Sequence, residues 1–344
     1  METACEAERF YAQSEAEQIA GLGQLAKAAL GRWGLDGADI SPVAYRENMT
    51  FRVDAGARGC FALRIHQARY RTDDNIRSEL AFMQALGERG IRTPYVVPAK
   101  DGAFLVIAES KAVPEPRQCD LFEWIDGRPL RAAGETYSGD IEALAAIYRE
   151  VGREAGAIAN MSASWVRPAG FSRPSWDAEG IFGRKALLGD FRKLEGISTE
   201  QRALLDRLAE RLSTDLESFG KSPDRYGLSH GDFLPENIMV CADGIRMIDF
   251  DDCGEGWYLF DFTTALLDML GEPAFDPCLD AMIAGYREHQ PLPDEHLAML
   301  PAFFVARALS YLGWAASRTH LEKAAVIKPV LLGAMEEMAP FYLG

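Results

Sequence analysis

A chain of 344 residues with 48% apolar and 26% charged residues has the composition of a soluble globular protein, long enough for two packed lobes. Its formal net charge of −16 disfavours non-specific binding to nucleic acid or anionic lipid and is compatible with a cationic substrate. The six cysteines (Cys5, Cys60, Cys119, Cys241, Cys253, Cys278) are scattered without a C-x-x-C, which argues against a zinc site or disulfide framework and for a reducing cytoplasm. The start is acidic and polar, unlike a signal peptide.

Taken in order, residues 1–33 predict a helix, with Phe10, Ile19, Leu22, Leu25 and Leu30 on one face and Gly31 and Gly34 at its end. Strands are predicted over 40–45, 48–54 and 60–66. In the last of these Phe61, Leu63 and Ile65 alternate with Arg64 and His66, the period of a half-buried strand. Residues 72–89 predict a helix opened by Thr72, Asp73 and Asp74, with a stripe of Ile76, Leu80, Met83 and Leu86. Glu79 borders that stripe and should face the sheet rather than open water. A hairpin is predicted from 95–98 and 103–108 around Asp101-Gly102, then a loop at Pro114 and Pro116, then a strand over 119–125 broken by Asp126-Gly127. Helices follow over 141–161 and 198–219. Between them 162–190 is irregular, either a lid or a covering loop tucked by Trp165 and Trp176.

The stretch 229–252, SHGDFLPENIMVCADGIRMIDFDD, carries the chemistry. Asn237-Ile238-Met239-Val240 and Ile245 to Phe250 are two short apolar runs about a turn at Asp243-Gly244, so Asp232, Asn237 and Asp249 come near one end of a hairpin. A carboxylate can orient an alcohol and accept its proton, while a carbonyl oxygen and a second carboxylate can hold magnesium beside phosphates. Four C-terminal helices are predicted over 259–271, 275–289, 294–318 and 320–341. The most apolar stretch, 299–316, holds Pro301 and Arg307 and reads as a buried helix rather than a membrane span. Arg307, Tyr311 and Trp314 share a helix face, as a substrate-binding set or as a core stripe with one buried ion pair.

HGDFLPEN followed by IDFDD resembles the signature of the aminoglycoside phosphotransferase–choline kinase superfamily, whose members include kinase-like homoserine kinases and stress-response kinases. The resemblance covers about 40–320 and implies an α+β, two-lobed protein-kinase-like fold. An antiparallel N-lobe sheet with one helix would be followed by a mainly helical C-lobe. Boundaries are expected at 1–39 for an N-terminal helical extension, 40–122 for the nucleotide-binding lobe and 123–344 for the catalytic lobe. It implies Asp232 as catalytic base, Asn237 and Asp249 as metal ligands, and ATP and Mg2+ as cofactors. Arg64 would stand where kinases carry a lysine that contacts phosphate, paired with Glu79, and the backbone near Glu123 and Ile125 would bond adenine. The turn over 45–49 would cover the phosphates, although it lacks glycines. His230 and Asp261 would brace the catalytic loop. Only about ten residues separate Asp249 from the next helix, too few for a peptide-docking activation segment. The expected reaction is phosphorylation of a hydroxyl group on a small molecule, without nucleic-acid or membrane partners. The rivals are a stress-response protein Ser/Thr kinase and a catalytically silent nucleotide-binding homologue.

Overall fold

The computed structural model describes residues 2–131 and 139–344, with side chains from residue 7 onward, so the Cys5 thiol lies outside the described residues. The chain divides into two compact units, Met1–Asp126 with Arg167–Ser172, and Gly127–Val166 with Arg173–Gly344.

The first unit contains α1 (Glu2–Tyr11), α2 (Glu15–Leu30), β1 (Asp39–Tyr45), β2 (Met49–Asp54), β3 (Cys60–Ile65), α3 (Asp73–Glu88), β4 (Val106–Ser110) and β5 (Val113–Glu123). The five strands form an antiparallel sheet in the order β1-β2-β3-β5-β4. Side chains alternate across a strand. Met49, Phe51, Leu63, Ile65, Cys119 and Leu121 therefore share one face, which α2 covers with Leu22, Leu25, Ala26 and Leu30. Thr72 caps α3 by accepting the Asn75 N–H.

Three expectations are corrected here. The single N-terminal helix is two, because Ser14 and Glu17 form a capping box that restarts the helix after Tyr11. The expected hairpin around Asp101-Gly102 is a tight turn, with Gly102 N–H bonded to Ala99 O; the paired strands are β4 and β5. Pro114 and Pro116 lie inside β5 rather than in a loop. They are tolerated because β3 pairs with β5 only from Cys119 onward. That leaves one side of the strand without a ladder at both prolines.

The second unit contains β6 (Arg128–Pro129), α4 (Ile141–Ser164), β7 (Ser175–Trp176), α5 (Ala178–Phe182), α6 (Thr199–Phe219), β8 (Tyr226–Ser229), β9 (Ile238–Cys241), β10 (Gly244–Met247), β11 (Gly254–Trp257), α7 (Tyr258–Leu266), α8 (Phe275–Tyr286), α9 (Asp294–Leu297), α10 (Leu300–Ser317) and α11 (Glu322–Leu343). Two small sheets, β10-β9-β6 and β7-β11-β8, sit among the helices. The β9–β10 turn is Ala242-Asp243, one residue earlier than expected, and Gly244 opens β10. The predicted helix over 294–318 is split, and Pro301 sits in the first turn of α10, where its missing N–H costs nothing. Helix α10 is the apolar stretch noted above; its residues Phe303, Val305, Leu309 and Leu312 are buried within the unit.

Candidate active site

Strand β8 leads directly into His230-Gly231-Asp232. Gly231 adopts φ 81°, and a Cβ there would run into the Asp252 carbonyl, so the backbone requires glycine. Asp261, from the first turn of α7, accepts the N–H of Gly231 at 2.9 Å and of His230 at 3.1 Å. Burial pushes its carboxyl up to about 7 while these two donors pull the other way. His230 is fully buried. Its Nδ1 accepts the Asp232 N–H at 3.2 Å and its Nε2 donates to the Ile248 carbonyl at 3.0 Å. Burial lowers its pKa to about 3, so it stays a neutral brace between two backbone segments. Trp176 Nε1 donates to the Asp252 carbonyl at 2.7 Å and Arg173 Nε to the Cys253 carbonyl at 2.6 Å. Residues 173–176 of the irregular segment thus hold down the stretch that follows Asp249.

Asp232 begins a short turn, with Leu234 N–H on Asp232 O at 2.8 Å and Asn237 N–H on Leu234 O at 2.8 Å. The turn brings the Asn237 amide back, so that Nδ2 donates to Asp232 Oδ2 at 2.9 Å and to Asp232 O at 3.0 Å. With its nitrogen so engaged, the amide turns Oδ1 away from Asp232. Ile248 N–H bonds Asn237 O at 2.9 Å, extending the β9–β10 ladder by one step. Asp249 follows immediately, in the left-handed region at φ 65°. A non-glycine residue held there stores strain, a common feature of functional positions. The structure therefore brings Asp232 and Asn237 into contact and sets Asp249 at the same end of the hairpin.

The sequence left open what Arg307 does. It rises from α10 with no exposed surface, and its Nη2 donates to Asp232 Oδ1 and to the Tyr311 hydroxyl, both at 2.6 Å. The guanidinium lies over the rings of Phe260 and Tyr311, 5.1 and 4.2 Å from their centroids. Its Nε and Nη1 are buried without a hydrogen-bond partner among the described residues. Burial raises the Asp232 carboxyl and the guanidinium opposes that rise. The stripe with one buried ion pair is therefore present, and its anion is Asp232. Trp314 has the Arg318 guanidinium over its ring, 5.4 Å from the centroid.

The first unit carries a separate charged cluster on the sheet face opposite α2. Arg64 grips Asp120 with Nε to Oδ1 at 3.0 Å and Nη2 to Oδ2 at 2.7 Å, and Nη2 lies 2.7 Å from Glu79 Oε1. His66 Nε2 adds a contact to Asp120 Oδ2 at 2.8 Å. Burial alone would raise the Asp120 carboxyl, yet the Arg64 and His66 partners hold it at about 2. Glu79 is wholly buried, while nearby Arg77 pairs with Asp73. Asp120 escaped the sequence reading. The one signal for it is register, since Arg64 and Asp120 are direct partners across β3 and β5. Glu123 N–H is bonded to Tyr95 O at 3.0 Å, and Ile125, two residues beyond β5, is partly exposed.

Among the described residues no group of three or more His, Cys, Asp or Glu is placed to hold a metal. Asn237 and Asp249 carry oxygen donors of the kind a hard cation takes beside phosphate and water. The sequence model of the family described as "Phosphotransferase enzyme family" matches residues 39–298. The chain belongs to the phosphotransferase enzyme family. Its catalytic class is therefore transfer of a phosphoryl group to an alcohol group, on a kinase-like α+β fold with an antiparallel-sheet unit and a mainly helical unit. Among solved structures, this phosphotransferase is similar to a microcompartment-associated aminopropanol kinase. The two share 34% identity over 93% of this chain and 97% of the other, with a TM-score of 0.80. An amicoumacin kinase in complex with AMP-PNP, Ca2+ and Ami shares the fold at 20% identity, over 94% and 96% of the two chains, with a TM-score of 0.71. A homoserine kinase from Mesorhizobium japonicum is 24% identical over 77% of this chain and 76% of its own.

Proposed function

We propose that this phosphotransferase transfers the γ-phosphoryl group of ATP to the hydroxyl of a small amino alcohol, with Mg2+ as the cation. The observation that carries the reading is the Asp232 carboxylate, fixed by Arg307 on one oxygen and Asn237 on the other. A carboxylate so held has a defined orientation and keeps lone pairs for an alcohol O–H. The alcohol oxygen forms the new P–O bond, the bond from phosphorus to the ADP oxygen breaks, and the alcohol proton passes to Asp232. Asn237 Oδ1 and Asp249 would hold the cation, which supplies neutralisation of phosphate charge. In the first unit we assign nucleotide binding to Arg64, oriented by Glu79 and Asp120, and to the backbone at Glu123 and Ile125. Most of the rate enhancement comes from positioning and electrostatics. The amino group of the acceptor is supported by the 34% identity with the aminopropanol kinase. It is supported also by Glu236, whose negative charge is felt at both Asp232 and Tyr311. A homoserine-like acceptor is the second reading, favoured by the unpartnered Arg307 Nε and Nη1, which suit a carboxylate.

The test is ADP release with ATP and Mg2+ against aminopropanol, homoserine and choline. Turnover is expected with the amino alcohol, and Asp232→Ala should keep AMP-PNP binding while losing transfer. Unchanged turnover in that variant refutes the assignment.

A further inference from the structure

The turn that carries Asp232 and Asn237 holds one more carboxylate. Glu236 stands between Pro235 and Asn237 in a single helical turn, with its side chain 13% exposed. Along the chain it is the carboxylate nearest to Asp232. Its charge acts on the groups about the reacting centre, raising the Asp232 and Asp268 carboxyls and the Tyr311 hydroxyl. Asp232 itself is already committed, with Arg307 on Oδ1 and Asn237 on Oδ2. An acceptor that brings a positive charge beside its hydroxyl therefore needs a second anion, and Glu236 is in place for it.

A primary ammonium from the chain already stands at Glu236. Lys323 Nζ, from the first turn of α11, lies 3.5 Å from Glu236 Oε1, longer than the roughly 2.8 Å of a tight charged hydrogen bond. Lys323 is 47% exposed, and an exposed pair of this kind shifts an equilibrium only about twofold to fivefold. The rest of α11 is secured without it. Lys328 Nζ donates to the Glu195 carbonyl at 3.1 Å, Gln201 Nε2 to Glu336 Oε1 at 2.9 Å, and the Tyr342 hydroxyl to Asp215 Oδ2 at 2.7 Å. The start of α11 has no side-chain cap, so its first turn is the end free to move a flexible lysine aside.

A lysine side chain offers the same primary ammonium that an amino alcohol does. We propose that Glu236 selects acceptors carrying an ammonium close to the hydroxyl, and that Lys323 occupies Glu236 in the free protein until the acceptor's own ammonium displaces it. Glu236 has this role only with an amine-bearing acceptor, as proposed above, and homoserine meets that condition as aminopropanol does.

The assay is ADP release at saturating ATP and Mg2+, comparing aminopropanol with the butanol in which a methyl replaces the ammonium. Wild-type kcat/KM should favour aminopropanol. Glu236→Gln keeps the size of the side chain and removes its charge, and should lower that preference about fivefold or more, chiefly through KM. A variant whose turn is merely disturbed loses both acceptors alike and keeps the ratio. Lys323→Met removes the tethered ammonium at a half-exposed position. It should lower KM for aminopropanol about twofold or more, and it serves alone if Glu236→Gln does not fold. AMP-PNP affinity is the control for the fold. A smaller fall in preference in Glu236→Gln overturns the role of Glu236. A KM that stays in place or rises in Lys323→Met overturns the displacement. A wild type that turns over neither aminopropanol nor homoserine overturns the amine-bearing acceptor, and this role with it.

Discussion

Replacing Arg307 by methionine removes the cation from Asp232 while keeping most of the packed volume beneath Phe260 and Tyr311. The pair meets at 2.6 Å, with one side chain wholly buried and the other 20% exposed. Charge centres roughly 4 Å apart interact by about 4 kcal/mol at an effective dielectric near 20. That attraction now opposes the burial that raises the Asp232 carboxyl. Without it the carboxyl rises further and the acid form persists to higher pH, and in the proposed mechanism a protonated Asp232 cannot take the alcohol proton. The acid limb of kcat/KM should therefore move to higher pH in Arg307→Met, with a loss of more than about tenfold at neutral pH. Stability should suffer less, because Asp232 can neutralise itself by taking a proton and the variant no longer buries two unpartnered arginine nitrogens, each a cost of about 1–3 kcal/mol. The variant's stability relative to wild type should fall as pH rises, since its folded form binds the extra proton. The assay is the pH dependence of kcat/KM for both proteins, with AMP-PNP affinity as the control for an intact fold. An acid limb that stays in place, with kcat within about threefold of wild type, refutes the argument.

Three further outcomes are expected. His230 has its folded pKa lowered from 6.5 to about 3, so its contribution is complete above pH 6.5 and is lost as pH falls toward 3. In His230→Gln the melting temperature should therefore decline less steeply over that window than in wild type, and parallel curves would contradict the neutral-brace role. Asp120→Asn takes a charge from the buried Arg64 cluster and should lower stability by about 3–5 kcal/mol in denaturant titration; a change under about 1 kcal/mol would mean that Glu79 alone suffices. Gly152→Ala would place a Cβ onto the Met282 carbonyl where α4 meets α8, at an expected cost of about 1–3 kcal/mol, and an unchanged midpoint would show that the two helices can separate freely.

Much of the fold was legible because its signals are local. Thr72 precedes a periodic apolar run as an N-cap residue should, and its cap forms. Leu63 and Ile65 face α2 as expected, but Arg64 and His66 are buried too, so the half-buried strand that the alternation predicts is covered on both faces. The errors arose where local signals compete. Ser14-x-x-Glu17 restarted a helix whose apolar face looked continuous. Pro114 and Pro116 looked like strand breakers because nothing in their vicinity says that one side of β5 has no partner.

The short motif HGDFLPEN with IDFDD was enough for the chemical class, and it put forward Asp232, Asn237 and Asp249 for the site, residues joined by one turn and one hairpin. Folding decided the rest. Arg307 stands 75 residues from the carboxylate it holds, and Asp120 stands 56 from Arg64. Neither partnership has a sequence spacing, since each arises where separate elements pack. Burial there makes an ion pair selective, for a lone charge in either place would be expelled or neutralised.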